Sequence, residues 1–163
     1  MALFVCLLVM MQFGWSAVHD WPPVRNVIDE MTVNPAAWTI ALISPEIHAQ
    51  AIGSHLVATG GGVNILDGCD GVDVVLIIIA AMLVAPLPAR WRLLGMLSGS
   101  GLIYLCNQLR ILALFYSYRT DKPLFNLLHG IVAPFLLILI SVAFYVIWIG
   151  IHNRHISPAR VSA

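Results

Sequence analysis

Hydrophobic and polar positions divide the chain into four apolar runs, with one long polar segment after the first run and short polar breaks after the others. The first run, residues 2–18, is interrupted only by Gln12, Gly14 and Ser16. The second, 72–87, is dense in valine, isoleucine and leucine and closes at Pro86 and Pro88, which suit a helix terminus at a membrane surface. The third, 91–118, begins at Trp91, ends with Tyr116 and Tyr118, and carries Gly95, Gly99 and Gly101, small residues that let helices approach closely. The fourth, 129–151, is broken only by Pro134, with Tyr145 and Trp148 near its end as interface anchors. A helix needs about 20 apolar residues to cross a bilayer. The pattern therefore predicts an all-α integral membrane protein: a single domain over residues 1–163, built as a bundle of about four transmembrane helices.

The first run reads as a retained anchor rather than a cleaved signal peptide. It lacks a basic start, and His19, Asp20, Trp21 and Pro22 follow it in place of a small-residue cleavage site. Residues 19–70 bring in Asp20, Arg25, Asp29, Glu30, Glu46 and Asp67 with prolines at 22, 23, 35 and 45, the composition of a polar loop or small cap. Within it, Ser44-Pro45-Glu46 has the form of a helix start, predicting a helix towards Thr59 that Gly60, Gly61 and Gly62 break. No Lys-Ser/Thr follows the triple glycine, which reads as a turn rather than a phosphate cradle.

Basic residues set the orientation. Arg90 and Arg92 lie between the second and third runs, and Arg154 and Arg160 follow the fourth; in a four-span chain both regions fall on one side, the cytoplasm by the positive-inside rule. The 19–70 segment and the short 119–128 loop are then extracytoplasmic, in the inner (plasma) membrane of the cell. Composition agrees, with 60% hydrophobic and only 10% charged residues. Net charge is zero and no basic block is present, which excludes a nucleic-acid partner and leaves membrane lipid as the surroundings. The cysteines at 6, 69 and 106 form no Cys-x-x-Cys pair and no metal spacing, and an odd count leaves at least one thiol unpaired.

This topology brings three reactive groups to one level. Cys69 precedes the second run at the outer boundary, flanked by Gly68 and Gly71, where its thiol is expected to be accessible. Arg110 lies 19 positions past Trp91, roughly 28 Å along a helix, which reaches the same boundary. His129 opens the fourth run. Taken singly these are a packing cysteine, a snorkelling arginine and an interfacial histidine; together they form a coherent site. Cys69 would be the nucleophile, its pKa lowered by a nearby cation. His129 would accept the thiol proton and return it to a leaving amine. Arg110 would bind the thiolate or stabilise an oxyanion. The implied reaction is acyl transfer, and no metal or organic cofactor is implied.

Gly68-Cys69-Asp70-Gly71-Val72, Asn107-Gln108-Leu109-Arg110-Ile111 and Leu128-His129-Gly130 resemble the exosortase/archaeosortase family over residues 65–151, about half the chain, in a compact form. The resemblance implies a polytopic membrane cysteine protease and transpeptidase with Cys69, Arg110 and His129 as its catalytic residues. Its partners would be substrate proteins with a C-terminal sorting signal: a short motif, one transmembrane helix and a basic tail. It also implies a supporting Asn107, on Arg110's helical face, which would orient that side chain or make an interhelical hydrogen bond. The chain departs from the family at Asp70, where serine, threonine or alanine is common. That charge raises a neighbouring thiol's pKa unless it points away to orient His129 or bind substrate. Two other classes stand beside this reading: an envelope thiol-disulfide oxidoreductase pairing Cys69 with Cys106, and a non-catalytic membrane scaffold.

Overall fold

The computed structural model describes residues 2–65 and 69–156. Asp67 and Gly68 beside the cysteine and Arg160 in the tail lie outside these residues. Among the described residues the elements are α1 (Ala2–Val18), α2 (Pro22–Ile43), a 3-10 turn (Pro45–Ile47), β1 (Gln50–Ile52), β2 (His55–Val57), β3 (Val63–Asn64), α3 (Val72–Val84), α4 (Ala89–Thr120), α5 (Lys122–Leu127), a π-helical turn (Leu128–Val132) and α6 (Ala133–Ile156). The framework is all-α, with one small antiparallel sheet inserted before α3.

One helical run, Lys122–Arg154, is long and apolar enough by itself to cross a membrane; only 11% of its most apolar stretch is buried, unlike the core helix of a water-soluble domain. α1 and α2 reach that standard only as a pair bent by 103°. α3 is apolar but has 13 residues, stopped ahead of Pro86 and Pro88. α4 spans about 48 Å, and Arg90, Arg92, Arg110 and Arg119 interrupt its apolar character.

Two buried clusters organise the molecule. The first joins α3, α4 and α6 through Val74, Ile78, Met82, Ile103 and Leu137, with Phe144 and Trp148 against it. Its closeness depends on glycine: a Cβ on Gly95 would come within 2.8 Å of Met82 and Trp148, and one on Gly99 within 2.8 Å of Ile78 and Phe144. Gly101 faces open space and plays no part in that packing. Trp148 donates its indole N–H to the Trp91 carbonyl at 3.1 Å, so it ties α6 to the start of α4. α1 packs on α3, with Gln12 reaching the Asp73 carbonyl.

The second cluster is a cap. Val33, Ala36, Ala37 and Ile40 of α2, Leu56 of β2 and Ile65 close over Cys69, Ile111 and Phe115. Of the two readings of this segment, loop or small cap, the described residues up to 65 form the cap. Pro22 and Pro23 occupy the first positions of α2, where a missing N–H costs nothing. Pro35 sits inside the helix and deprives the carbonyl four residues back, that of Met31, of its donor. Tyr104 of α4 supplies the replacement from its hydroxyl at 2.8 Å, and Gln108 donates to the neighbouring Thr32 carbonyl at 3.3 Å. A proline that would weaken an isolated helix thus fixes α2 onto α4.

The helix predicted from Pro45 towards Thr59 does not form. Pro45–Ile47 make one 3-10 turn, ended by His48 at φ +50°. Residues 50–57 then form a hairpin, because Gly53 at φ +56° turns the chain and the alternation around Ala51 and Leu56 fits a half-buried strand. The triple glycine is a turn as expected, with Gly60 and Gly61 at φ +87° and +131°. Arg119 pins it by donating to the Thr59 carbonyl at 2.8 Å.

Candidate active site

Four segments meet around Cys69. The thiol lies between the sheet and α3, 7% exposed, so the expectation of an accessible thiol is corrected: the cap covers it. Gly71 makes the turn into α3 with φ +80°, a conformation that disfavours any residue with a Cβ. A Cβ there would stand 2.8 Å from Asn107 Cγ. Asn107 is itself buried on α4 and donates from Nδ2 to the Cys69 carbonyl at 3.0 Å. It therefore holds the cysteine's backbone, a bond from α4 to the bend before α3 rather than to another helix.

One turn further along α4, Arg110 donates from its guanidinium to Cys69 Sγ at 3.6 Å. From the opposite side His129 Nδ1 lies 3.7 Å from Sγ. Both are hydrogen-bonding distances for sulfur. The histidine comes from the π-helical turn Leu128–Val132, which precedes Pro134; such turns recur where a proline interrupts the α-helical ladder and at functional positions. Its ring stacks on Phe125 with planes 7° apart and centroids 5.5 Å apart. α5, which carries Phe125, starts where Asp121 accepts a hydrogen bond from the Leu124 N–H at 3.1 Å. Phe125 escaped the sequence reading, although its position four residues before His129 put it on the same helical face.

Asp70 Oδ1 accepts the Val72 N–H at 3.1 Å, an Asx turn that leads into α3, and Asp70 borders a narrow cleft with His19, Arg25 and Asp29. Its charge still acts on the thiol. Burial pushes the Cys69 thiol above its ordinary pKa, Arg110 pulls it down, and Asp70 pushes it up again; the net direction is up. The expected lowering by a cation is real but outweighed, so the sulfur rests protonated at neutral pH.

This gives a direct prediction. Alkylation by iodoacetamide, which needs the thiolate, should rise with pH along a curve displaced above that of an ordinary cysteine. Asp70→Asn should move the curve down in pH and Arg110→Gln should move it up; the rate of Cys69 labelling against pH, read by mass spectrometry, measures both.

The three thiols at 6, 69 and 106 are free. Cys106 packs against the bundle cluster, whereas Cys69 belongs to the cap cluster. In comparison with known proteins, no family model, no curated protein and no solved structure matches the chain.

Proposed function

We propose that this protein is a membrane cysteine peptidase and transpeptidase, which cleaves polypeptides through a thioester at Cys69. The observation that carries this reading is a single thiol within hydrogen-bonding range of both an imidazole and a guanidinium. The resemblance to exosortases and archaeosortases supports it and names the substrates: proteins ending in a short motif, a transmembrane helix and a basic tail. In this reading α1, α3, α4 and α6 cross the bilayer, α2 and the sheet cap its outer face, and Arg90, Arg92 and Arg154 stay in the cytoplasm. Exposed Val9 and Phe13 on α1 and Phe135, Val142 and Val146 on α6 then face lipid.

The chemistry follows from the protonated thiol. Sγ attacks the scissile carbonyl carbon as its proton passes to His129 Nδ1, whose second nitrogen then keeps its own hydrogen. Arg110 stabilises the negative charge as it leaves sulfur and appears on the carbonyl oxygen. The C–N bond breaks, the departing amine takes the proton from His129, and the acyl group stays on sulfur. Water or a second amine then attacks the thioester, returning the proton to Sγ through the same imidazole.

A groove of about 280 Å³ between α4 and α6 supports the proposed substrate. Cys106, Ala113 and Ala133 are its small wall residues, set among leucines such as Leu109, Leu128 and Leu136, and Arg110 borders it. The small residues allow a helix to pack closely. Co-expression with a membrane protein carrying such a C-terminal signal should yield a shortened product in the wild type and none with Cys69→Ala. Equal processing by that variant would refute the proposal.

A further inference from the structure

The sheet has the order β1-β2-β3, so among the described residues β3 has a strand on one side only. Ile65 donates its N–H to the Ser54 carbonyl at 2.8 Å, and Val63 stands opposite Leu56. In an antiparallel ladder, residues that bond to the neighbouring strand alternate with residues whose N–H and C=O point away from it. Asn64 lies between the two bonded positions and so turns both main-chain groups away from β2. Among the described residues neither group is bonded elsewhere.

A cavity of about 30 Å³ touches Val63, Asn64 and Ile65 together with Leu56, Cys69, Phe125 and His129. Successive side chains of a strand alternate between faces, so Leu56, its partner Val63 and Ile65 share the inner face of the sheet. The cavity lies under that face and reaches the strand's outer edge at Asn64. The reactive thiol and imidazole therefore stand close to the outward main-chain N–H and C=O of Asn64.

We infer that a polypeptide substrate binds in extended form as a fourth strand along β3, exchanging main-chain hydrogen bonds with Asn64 so that its scissile carbonyl meets Cys69. This rests on the acyl-transfer reading above and adds how the substrate is held. An extended peptide is the occupant because it presents N–H and C=O at strand spacing; strand addition takes affinity from these bonds and selectivity from adjoining pockets. The pocket here is closed by Leu56, Ile111 and Leu114 and has about the room of one water molecule, enough for a methyl group. The residue next to the scissile bond is therefore small and apolar.

The test uses the full chain in membranes and two aldehydes, acetyl-Ala-Ala-alaninal and propanal. Each adds its carbonyl carbon to Cys69 Sγ, and its oxygen takes the thiol proton, so a hemithioacetal forms with no leaving group. Protection of Cys69 against iodoacetamide reports binding. The tripeptide should protect at a concentration about tenfold lower than propanal, the scale of one or two net hydrogen bonds. N-methylation of its amides should erase that advantage. So should Asn64→Pro, which removes an N–H that the β2 ladder does not use, while Asn64→Ala keeps it.

Unchanged protection by propanal in Asn64→Pro would show that its site is intact. Equal protection by the two aldehydes, or an advantage that survives N-methylation, would overturn strand addition while leaving the acyl-transfer reading in place. Failure of both aldehydes to protect Cys69 would overturn the acyl-transfer reading, and strand addition with it.

Discussion

His129→Ala is expected to slow acyl transfer by about a thousandfold, within the range of losses typical for a general base. The size follows from the state of the thiol. With burial and Asp70 holding Cys69 largely protonated, little standing thiolate is available for a slower reaction without the base. The imidazole 3.7 Å away is the group placed to take the proton. A cysteine already ionised by its arginine would show a much smaller loss. Single-turnover rates at neutral pH measure the effect. A matched comparison isolates its cause: at high pH, where the thiol ionises unaided, iodoacetamide should label Cys69 equally in wild type and His129→Ala. Unequal labelling there would mean that the substitution had disturbed the pocket rather than removed a base.

The second large effect is on the turn that carries the nucleophile. Gly71→Val should destabilise the protein by about 2–3 kcal/mol, combining the cost of a left-handed residue with a Cβ and an overpacked contact. The contact is specific. The new Cβ would lie 2.8 Å from Asn107 Cγ, and Asn107 holds the Cys69 carbonyl. Activity should therefore fall further than stability, because the displaced amide releases the cysteine backbone. Gly101→Val is the control, since a Cβ there meets nothing within 4 Å. Thermal unfolding in detergent and processing rates of the two variants should differ clearly; matching losses would remove the special role given to the Gly71 turn.

The long apolar segments were legible because their composition reports burial or lipid directly. α4 and α6 begin and end within a few residues of the predicted runs, and Pro86 and Pro88 marked the end of α3. The cap was not legible in the same way. Pro22, Pro23 and Pro35 counted as loop signals, yet two stand at a helix start and the third is compensated by Tyr104 and Gln108, 73 and 76 residues distant from their acceptors. Local propensity cannot carry a bond between segments so far apart. The same holds for the short strands, whose pairing outweighed the helix-start signal at Ser44-Pro45-Glu46.

At the site, the residues that converge were found from their depth along three segments, although Arg110 lies inside α4, ten residues before its end, and His129 inside the run Lys122–Arg154. What depth could not give was cover. Cys69 is clustered with Val33, Ile40 and Leu56, contributed by a segment read as a polar loop or small cap whose contacts the sequence did not show. Its burial reverses the expected direction of the thiol pKa and with it the expected resting state. Asp70 received its account from the backbone: its carboxylate closes the turn into α3, and its effect on sulfur follows from that placement.

The most direct measurement is the mass of the enzyme during turnover. Rapid acid quenching of the wild type with a processed substrate, followed by peptide mapping, should find the substrate's acyl fragment on the peptide containing Cys69. Hydroxylamine should release it, as for a thioester, and Cys69→Ala should show none. Processing that continues with no adduct on Cys69 under these conditions, or an adduct that persists in Cys69→Ala, would contradict the account.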